Sequence, residues 1–360
     1  MLPLALLLAP RVALADLPLP LQPECGQPDR PELCPEDLGY DWALLSWIPQ
    51  EWQANVRPEE LALGTGVGAD RAWRTSTGRT DVVIAVLDSG YLWDDERLRA
   101  KIALNTGELP LPQGADGAPA ATYDFDGNGF VNVDDWAQDP RVDPAAGVDT
   151  ADHLLDGSDL IHSFSDGVDD DGNGFVDDIA GWDFLWNDND PYDDTRYDHG
   201  TFEAREAANM GNDGQSGIGP CPNCFVLPVR VGDSFVADGS SFAMGTVFAV
   251  DAGAALVLEA LGTVNHPSYA TAAIEYAWDR DVLVVASAAD ETAWHPNAPG
   301  WVHHTLYVHA IVPDTDAEEA TTFLAYSNCT NHGARLDLST TACHRRQRSQ
   351  GLGGPRPVHR

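Results

Sequence analysis

Apolar residues in this chain come in short unbroken blocks separated by longer mixed stretches. Residues 82–88 (VVIAVLD) form a continuous run rich in β-branched side chains, the pattern of a strand buried on both faces. Residues 225–231 (FVLPVRV) and 282–286 (VLVVA) repeat it, and residues 305–312 (TLYVHAIV) do so with two polar interruptions. Pro228 weakens the second of these, because proline has no N–H to give to a ladder. Residues 201–209 (TFEAREAAN), 240–252 (SSFAMGTVFAVDA) and 268–279 (SYATAAIEYAWD) read as helices. Short buried strands alternating with helices predict β-α-β units and a mainly parallel sheet, an α/β fold. Such sheets place ligand chemistry beyond the carboxyl ends of their strands. Asp88 closes the first strand there, ahead of a Ser89-Gly90 turn. The plain alternative is an Asp that caps the next helix.

Charge narrows the partners. The 360 residues carry 20 Lys and Arg against 57 Asp and Glu, a net −37, with a pI near 4.2. A surface so acidic repels phosphate, which argues against nucleic acid and anionic membranes. No apolar run reaches the roughly 18 residues that span a bilayer. Residues 2–9 (LPLALLLA) followed by Ala13-Leu14-Ala15 fit a secretory signal over 1–15 cut after Ala15, although the usual positive start is missing. The expected location is therefore secreted, periplasmic or extracellular. Six cysteines agree with an oxidising compartment. Local closure favours Cys25–Cys34 and Cys329–Cys343. Cys221-Pro222-Asn223-Cys224 fits a tight disulfide, a redox pair or half a zinc site, with a structural bridge the simplest of the three.

The ends differ from the middle. Residues 16–75 are rich in Pro, Trp and Gly and weakly periodic, an N-terminal extension or a remnant pro-segment that Trp42, Trp47, Trp52 and Trp73 would pack onto a larger body. Residues 344–360 carry five Arg and no acid. A basic arm is one reading, and an out-of-frame read of GC-rich coding sequence is the other.

Residues 124–198 hold 22 Asp, no Glu and two Arg. Short carboxylates without Glu point to tight loops in which turn formation and cation ligation coincide. The segment contains a repeat: Asp124-Phe-Asp126-Gly-Asn128-Gly-Phe130 recurs as Asp169-Asp-Asp171-Gly-Asn173-Gly-Phe175. Both match the first half of the calcium loop D-x-[DN]-x-[DN]-G, in which oxygens at positions 1, 3 and 5 and the carbonyl of 7 converge on the ion. Position 12 is Asp135 in the first copy and Ala180 in the second, where Asp177 and Asp178 lie close. Structural calcium in one or both loops is the expectation, and solvated Asp/Asn/Gly turns are the alternative.

Tyr197-Asp198-His199-Gly200-Thr201 follows this segment and opens a predicted helix, which Thr201 could cap. Here the motifs resemble a family. VVIAVLDSG at 82–90 is similar to the Asp motif of subtilisin-like serine peptidases (subtilases), and DHGT at 198–201 to their His motif. DDDGNGFVDDIAGWDF at 169–184 resembles the segment that often precedes that His. VLVVASAADE at 282–291 resembles the oxyanion-hole strand, and YSNCTNHGARLDLST at 326–340 the approach to the Ser motif. The order Asp…His…Ser is this family's own.

The resemblance implies a three-layer α/β sandwich with a mainly parallel central sheet over residues 76–341, C-terminally incomplete, followed by an aberrant tail at 342–360. It implies hydrolysis of peptide bonds in polypeptide substrates, with His199 as general base and Asp88 fixing its tautomer.

Three departures qualify this. No Gly-Thr-Ser-x-Ala or G-x-S-x-G occurs, and Ser327, Ser339 and Ser349 lack the expected neighbours. The oxyanion position has Asp290 where the family has an amide, and an ionised carboxylate cannot donate to an oxyanion. After His199, Phe202-Glu203-Ala204-Arg205-Glu206 replaces small residues, so three charges must find partners or face water. The expected function is a secreted subtilisin-like serine endopeptidase that is inactive as written for want of the nucleophile. The alternative is a non-catalytic, calcium-stabilised binding module on the same scaffold.

Overall fold

The structure is a computed structural model. It describes residues 17–27, 29–35, 38, 43–48, 53, 66–148, 153–214, 217–289, 293–314, 322–328, 330–333 and 335–341. The leader at 1–15, Trp42, Trp52, Asp290, Cys329, Cys343 and the tail at 342–360 lie outside the described residues.

The strands are β1 (Val83–Asp88), β2 (Trp182–Asp183), β3 (Phe225–Arg230), β4 (Val236–Ala237), β5 (Leu256–Glu259), β6 (Gly262–Thr263), β7 (Leu283–Ser287), β8 (Thr305–Asp314), β9 (Thr322–Asn328) and β10 (Leu338–Thr341). The α-helices are α1 (Ala69–Ala72), α2 (Gly157–Phe164), α3 (His199–Ala208), α4 (Gly239–Asp251) and α5 (Ser268–Trp278). Seven strands lie parallel in the order β10-β8-β7-β5-β1-β3-β2, and β9 pairs antiparallel with β8. Strands β4 and β6 form a separate parallel pair. From β1 the chain returns through α3 to β3 on one side, then through α4 to β5 on the other. The order reverses at β1, which opens a crevice at its carboxyl end.

Strand β1 is buried on both faces. Ile84 and Val86 join Ala204 and Ala208 of α3 in one apolar cluster. Ala85 and Leu87 join Phe242, Ala243 and Phe248 of α4 and Ile274 of α5 in another. Each Val, Leu, Ile or Phe side chain among these taken from water contributes about 1.5–3 kcal/mol. Along β5 and β7 only alternate residues are fully buried. Their half-covered residues include Leu256 and Leu258, which pack toward the α3 side.

Pro228 does sit inside a strand. On one side β3 pairs with β1 along its length, but on the other β2 meets only Val229 and Arg230. At Pro228 that side is an edge of the ladder, where proline is tolerated. Helix α2 was not legible among the loops. Its capping box uses Asp156, whose side chain accepts from Ser158 N, and Asp159, whose side chain accepts from Asp156 N at 3.0 Å. Asp in this region builds helix starts as well as turns.

The N-terminal segment packs on the body through a third cluster containing Leu19, Leu45, Trp47, Trp73 and Ile218. Trp73 is fully buried and its Nε1 donates to Pro220 O at 2.9 Å. Asn223 donates to Leu19 O at 3.0 Å and accepts from Leu19 N at 2.6 Å. Cys25–Cys34 and Cys221–Cys224 are disulfides. Lys101 is also fully buried and donates from Nζ to Pro222 O. Burial pushes its pKa well below the usual lysine value.

Replacing Trp73 with Ala should cost about 3–5 kcal/mol and expose residues 17–48 to protease. Urea unfolding and limited proteolysis check this, and an unchanged midpoint with an intact N-terminal fragment would refute the packing role.

Candidate active site

Asp88 ends β1 with its side chain buried. Its Oδ1 accepts from Ser89 N at 2.7 Å and lies 2.8 Å from His199 Nδ1. Its Oδ2 is buried without a hydrogen-bond partner. His199 is the first residue of α3, so the crevice at the strand end holds a carboxylate and an imidazole in contact.

Two glycines allow that approach. A Cβ on Gly200 would lie 2.3 Å from Gly90 O and 3.0 Å from Asp88 Cβ. Gly90 has φ +102°, and a Cβ there would come within 2.9 Å of Pro191 O. Thr201 does not cap α3. The cap position is Asp198, in the left-handed region at φ 65° without a side-chain cap bond. Thr201 lies inside the first turn instead, and its hydroxyl accepts from Leu92 N at 2.9 Å, tying α3 to the chain after β1.

The charges after His199 are placed as follows. Arg205 Nε donates to Asp95 Oδ2 at 2.5 Å. Glu203 Oε1 lies 3.9 Å from His199 Nε2. Glu206 is exposed. At the end of β3, buried Arg230 reaches Asp183 Oδ2 at 3.1 Å, Asp194 Oδ1 at 2.5 Å and Tyr192 O at 2.8 Å, fixing the loop before α3 to the sheet.

Glu259, missed in the sequence, ends β5 in register with Leu87. It is fully buried, and the backbone N–H of Leu261 is too weakly placed to compensate its carboxyl. Burial, and secondly the Asp88 charge, push its pKa well above the usual glutamate range. The only signal was a Glu inside the apolar run LVLEALG at 256–262. Ser339 lies on β10, where its hydroxyl is 3.1 Å from His309 Nδ1.

The two Asp-rich repeats fold alike. In the first, Asp124 Oδ2 accepts from Gly129 N at 3.1 Å, Asp126 Oδ1 from Asn128 N at 2.9 Å, and Asn128 Oδ1 from Phe130 N at 3.1 Å. In the second, Asp169 Oδ2 accepts from Gly174 N at 2.9 Å, Asp171 Oδ1 from Asn173 N at 2.9 Å, and Asn173 Oδ1 from Phe175 N at 2.7 Å. Carboxylate oxygens of Asp124, Asp126 and Asp135 lie within 4.8 Å of one another. Asp124 Oδ1 is buried and unpartnered.

The second cluster differs from the spacing read in the sequence. Its three converging carboxylates are Glu108, Asp171 and Asp178, and Asp169 is not among them. Ala180 has no ligand to offer, and Glu108 and Asp178 supply carboxylates instead. Burial first, then the charges of Asp171 and Glu108, raise Asp178 to about 7, while hydrogen bonds from Asn105 and Asn173 oppose the rise. Burial also raises Asp135. All-oxygen sets with crowded, desolvated carboxylates fit a hard divalent cation.

With this geometry in hand, the model of the Subtilase family matches residues 79–359, so the chain belongs to the subtilase family. The match includes residues 342–359, the basic stretch. Thermitase of Thermoactinomyces vulgaris is 33% identical over 131 residues, 36% of this chain and 46% of that protein. A thermophilic serine proteinase of Bacillus sp. (strain AK1) is 32% identical over 134 residues, 37% of this chain and 33% of that protein. The matched region thus spans less than half the length of either relative. Among solved structures, a protease from Pseudoalteromonas arctica PAMC 21717 is 21% identical, with a TM-score of 0.45 over 77% of this chain and 67% of that one.

Glu259 gives the site a pH signature. Its folded pKa lies above the unfolded value, so its contribution is intact below about pH 4.5 and is lost as pH rises toward the folded pKa, at roughly 1.4 kcal/mol per unit. Glu259→Gln should match the wild type at pH 5 and exceed it at pH 8 in urea unfolding. Parallel pH profiles for the two proteins would show that the carboxyl is not held neutral.

Proposed function

We propose that this chain is a subtilisin-like serine endopeptidase scaffold acting on polypeptides, in which Asp88 and His199 form the proton-handling pair. The single observation that supports this is the 2.8 Å contact between His199 Nδ1 and Asp88 Oδ1 at the switch point of a parallel sheet. Asp88 holds the proton on Nδ1, which leaves the Nε2 lone pair to take the proton of an attacking hydroxyl. The hydroxyl oxygen bonds to the scissile carbonyl carbon, and the same proton then passes to the leaving amine nitrogen. Asp88 meanwhile stabilises the imidazolium.

The 360 residues contain no Ser motif of the family, and on this reading they do not turn over substrate by themselves. The second reading is a non-catalytic binding module on the same scaffold. Export by the 1–15 leader fits the Cys25–Cys34 and Cys221–Cys224 disulfides. No helix among the described residues is long and apolar enough to cross a membrane.

Calcium completes the proposal as a structural ion. Asp124, Asp126 and Asp135, with Asn128 and the Phe130 carbonyl, would hold one. Asp171, Asp178 and Glu108, with Asn173 and the Phe175 carbonyl, would hold the other. Its chemistry would be charge compensation at a site where burial raises the carboxyls of Asp135 and Asp178.

Expression of the coding region with its downstream sequence, treated with a fluorophosphonate probe, tests the reaction class. The longer product should label at a serine, and His199→Ala or Asp88→Asn should abolish labelling. The 360-residue chain should not label. Labelling that survives His199→Ala would overturn the peptidase reading, and an unlabelled longer product would leave the binding module. For the ion, melting midpoints in calcium and in chelator should differ by the equivalent of about 2–3 kcal/mol near 100 times the dissociation constant. The difference should shrink in Asp135→Asn and in Asp178→Asn. Equal midpoints in the unmodified chain would remove calcium from the account.

A further inference from the structure

His199 has a carboxylate at each ring nitrogen. Asp88 is at Nδ1, 2.8 Å away, and Glu203, one helical turn on, is 3.9 Å from Nε2. Nε2 is the atom that must be free of a proton if the ring is to act as a base. Both side chains at that edge are partly open to solvent, His199 at 26% and Glu203 at 23%, so an incoming molecule can reach the pair.

Among the described residues, the charged groups near the ring are mostly carboxylates, and two arginines there are paired with aspartates. From the loop ahead of α3, the Tyr197 ring lies over the imidazole with centroids 5.8 Å apart, and Asp198 adds another carboxylate. Asp193 accepts from Asp198 N at 2.6 Å. From α3, Arg205 is held by Asp95 and lies 3.9 Å from Asp198. From the chain after β1, Asp94 pairs with Arg196 at 2.7 Å. From β5, burial and the Asp88 charge push the Glu259 carboxyl toward its neutral form, so it adds no negative charge. A nearby opposite charge favours the protonated imidazole.

We propose that Glu203 is a positioning residue that keeps a proton on His199 Nε2 in the resting protein, and that a cationic side chain of the substrate frees the base by pairing with Glu203. The proton leaves Nε2 to solvent when the cation takes over the carboxylate, and the ring is then neutral with its lone pair toward the hydroxyl. This rests on the reading of His199 as a proton acceptor. It makes the site selective for polypeptides with Lys or Arg beside the scissile bond.

The test is NMR titration of the His199 ring in the histidine-labelled 360-residue chain, which needs no turnover. Glu203→Gln should lower the midpoint by about 0.5 pH unit, roughly threefold in proton affinity, and Glu203→Asp should keep most of the wild-type value. A lysine-containing tetrapeptide should lower the wild-type midpoint, its norleucine counterpart should not, and neither should move Glu203→Gln. An Asp88→Asn arm separates the two claims. If Asp88→Asn lowers the midpoint and Glu203→Gln does not, the Glu203 proposal is wrong and the Asp–His pair stands. If Asp88→Asn also leaves it unmoved, the pair itself is refuted. A shift in Glu203→Gln without any response to the lysine peptide would overturn release by substrate.

Discussion

A carboxylate buried at the end of a parallel strand is tolerable only if something compensates its charge. For Asp88 the compensation is one backbone N–H and one imidazole, both on the same oxygen. That arrangement dictates much of the local architecture. Helix α3 must start within touching distance of β1, so residue 200 can have no side chain and residue 90 must take a conformation that glycine accepts readily. The loop before α3 must then be fixed in place, which Arg230 achieves from the neighbouring strand. The sheet's order reversal supplies the location, and close backbone packing supplies the contact.

The acidity of the chain is concentrated where the backbone turns most sharply. The Asp-rich repeats consume their carboxylates in bonds to their own N–H groups, so the loops are shaped before any cation arrives. What the turns leave over includes Glu108, Asp135 and Asp178, whose pKa values burial raises. Around His199, Asp88 and Glu203 bring a carboxylate to each ring nitrogen.

Local patterns were readable where local physics controls them. Strands β1, β3, β7 and β8 follow from unbroken apolar runs, and helices α3, α4 and α5 from the stretches between them. The adjacency of Asp88 and His199 was expected only through the resemblance of VVIAVLDSG and DHGT to the family's Asp and His motifs; element ends alone gave Asp88's place. Strand β5 was not, because Glu259 interrupts its apolar run and the strand is only four residues long. Glu108 was not, because it reaches the second Asp-rich loop through the tertiary fold, where its oxygens accept from Asp171 N at 3.1 Å and Asp177 N at 3.2 Å. Spacing within a motif cannot reveal a donor from another segment. Glu203 was visible as a charge needing a partner, but only coordinates could name the partner.

Lys101 is the chain's single lysine, and it is sealed beneath the Cys221–Cys224 loop with its amine turned to Pro222 O. The folded molecule therefore presents no lysine amine to its surroundings. Acylating reagents, amine cross-linkers and enzymes that modify lysine find no side chain to act on until this corner opens. Reactivity at that one nitrogen becomes a built-in gauge of whether the core beside β3 has come apart.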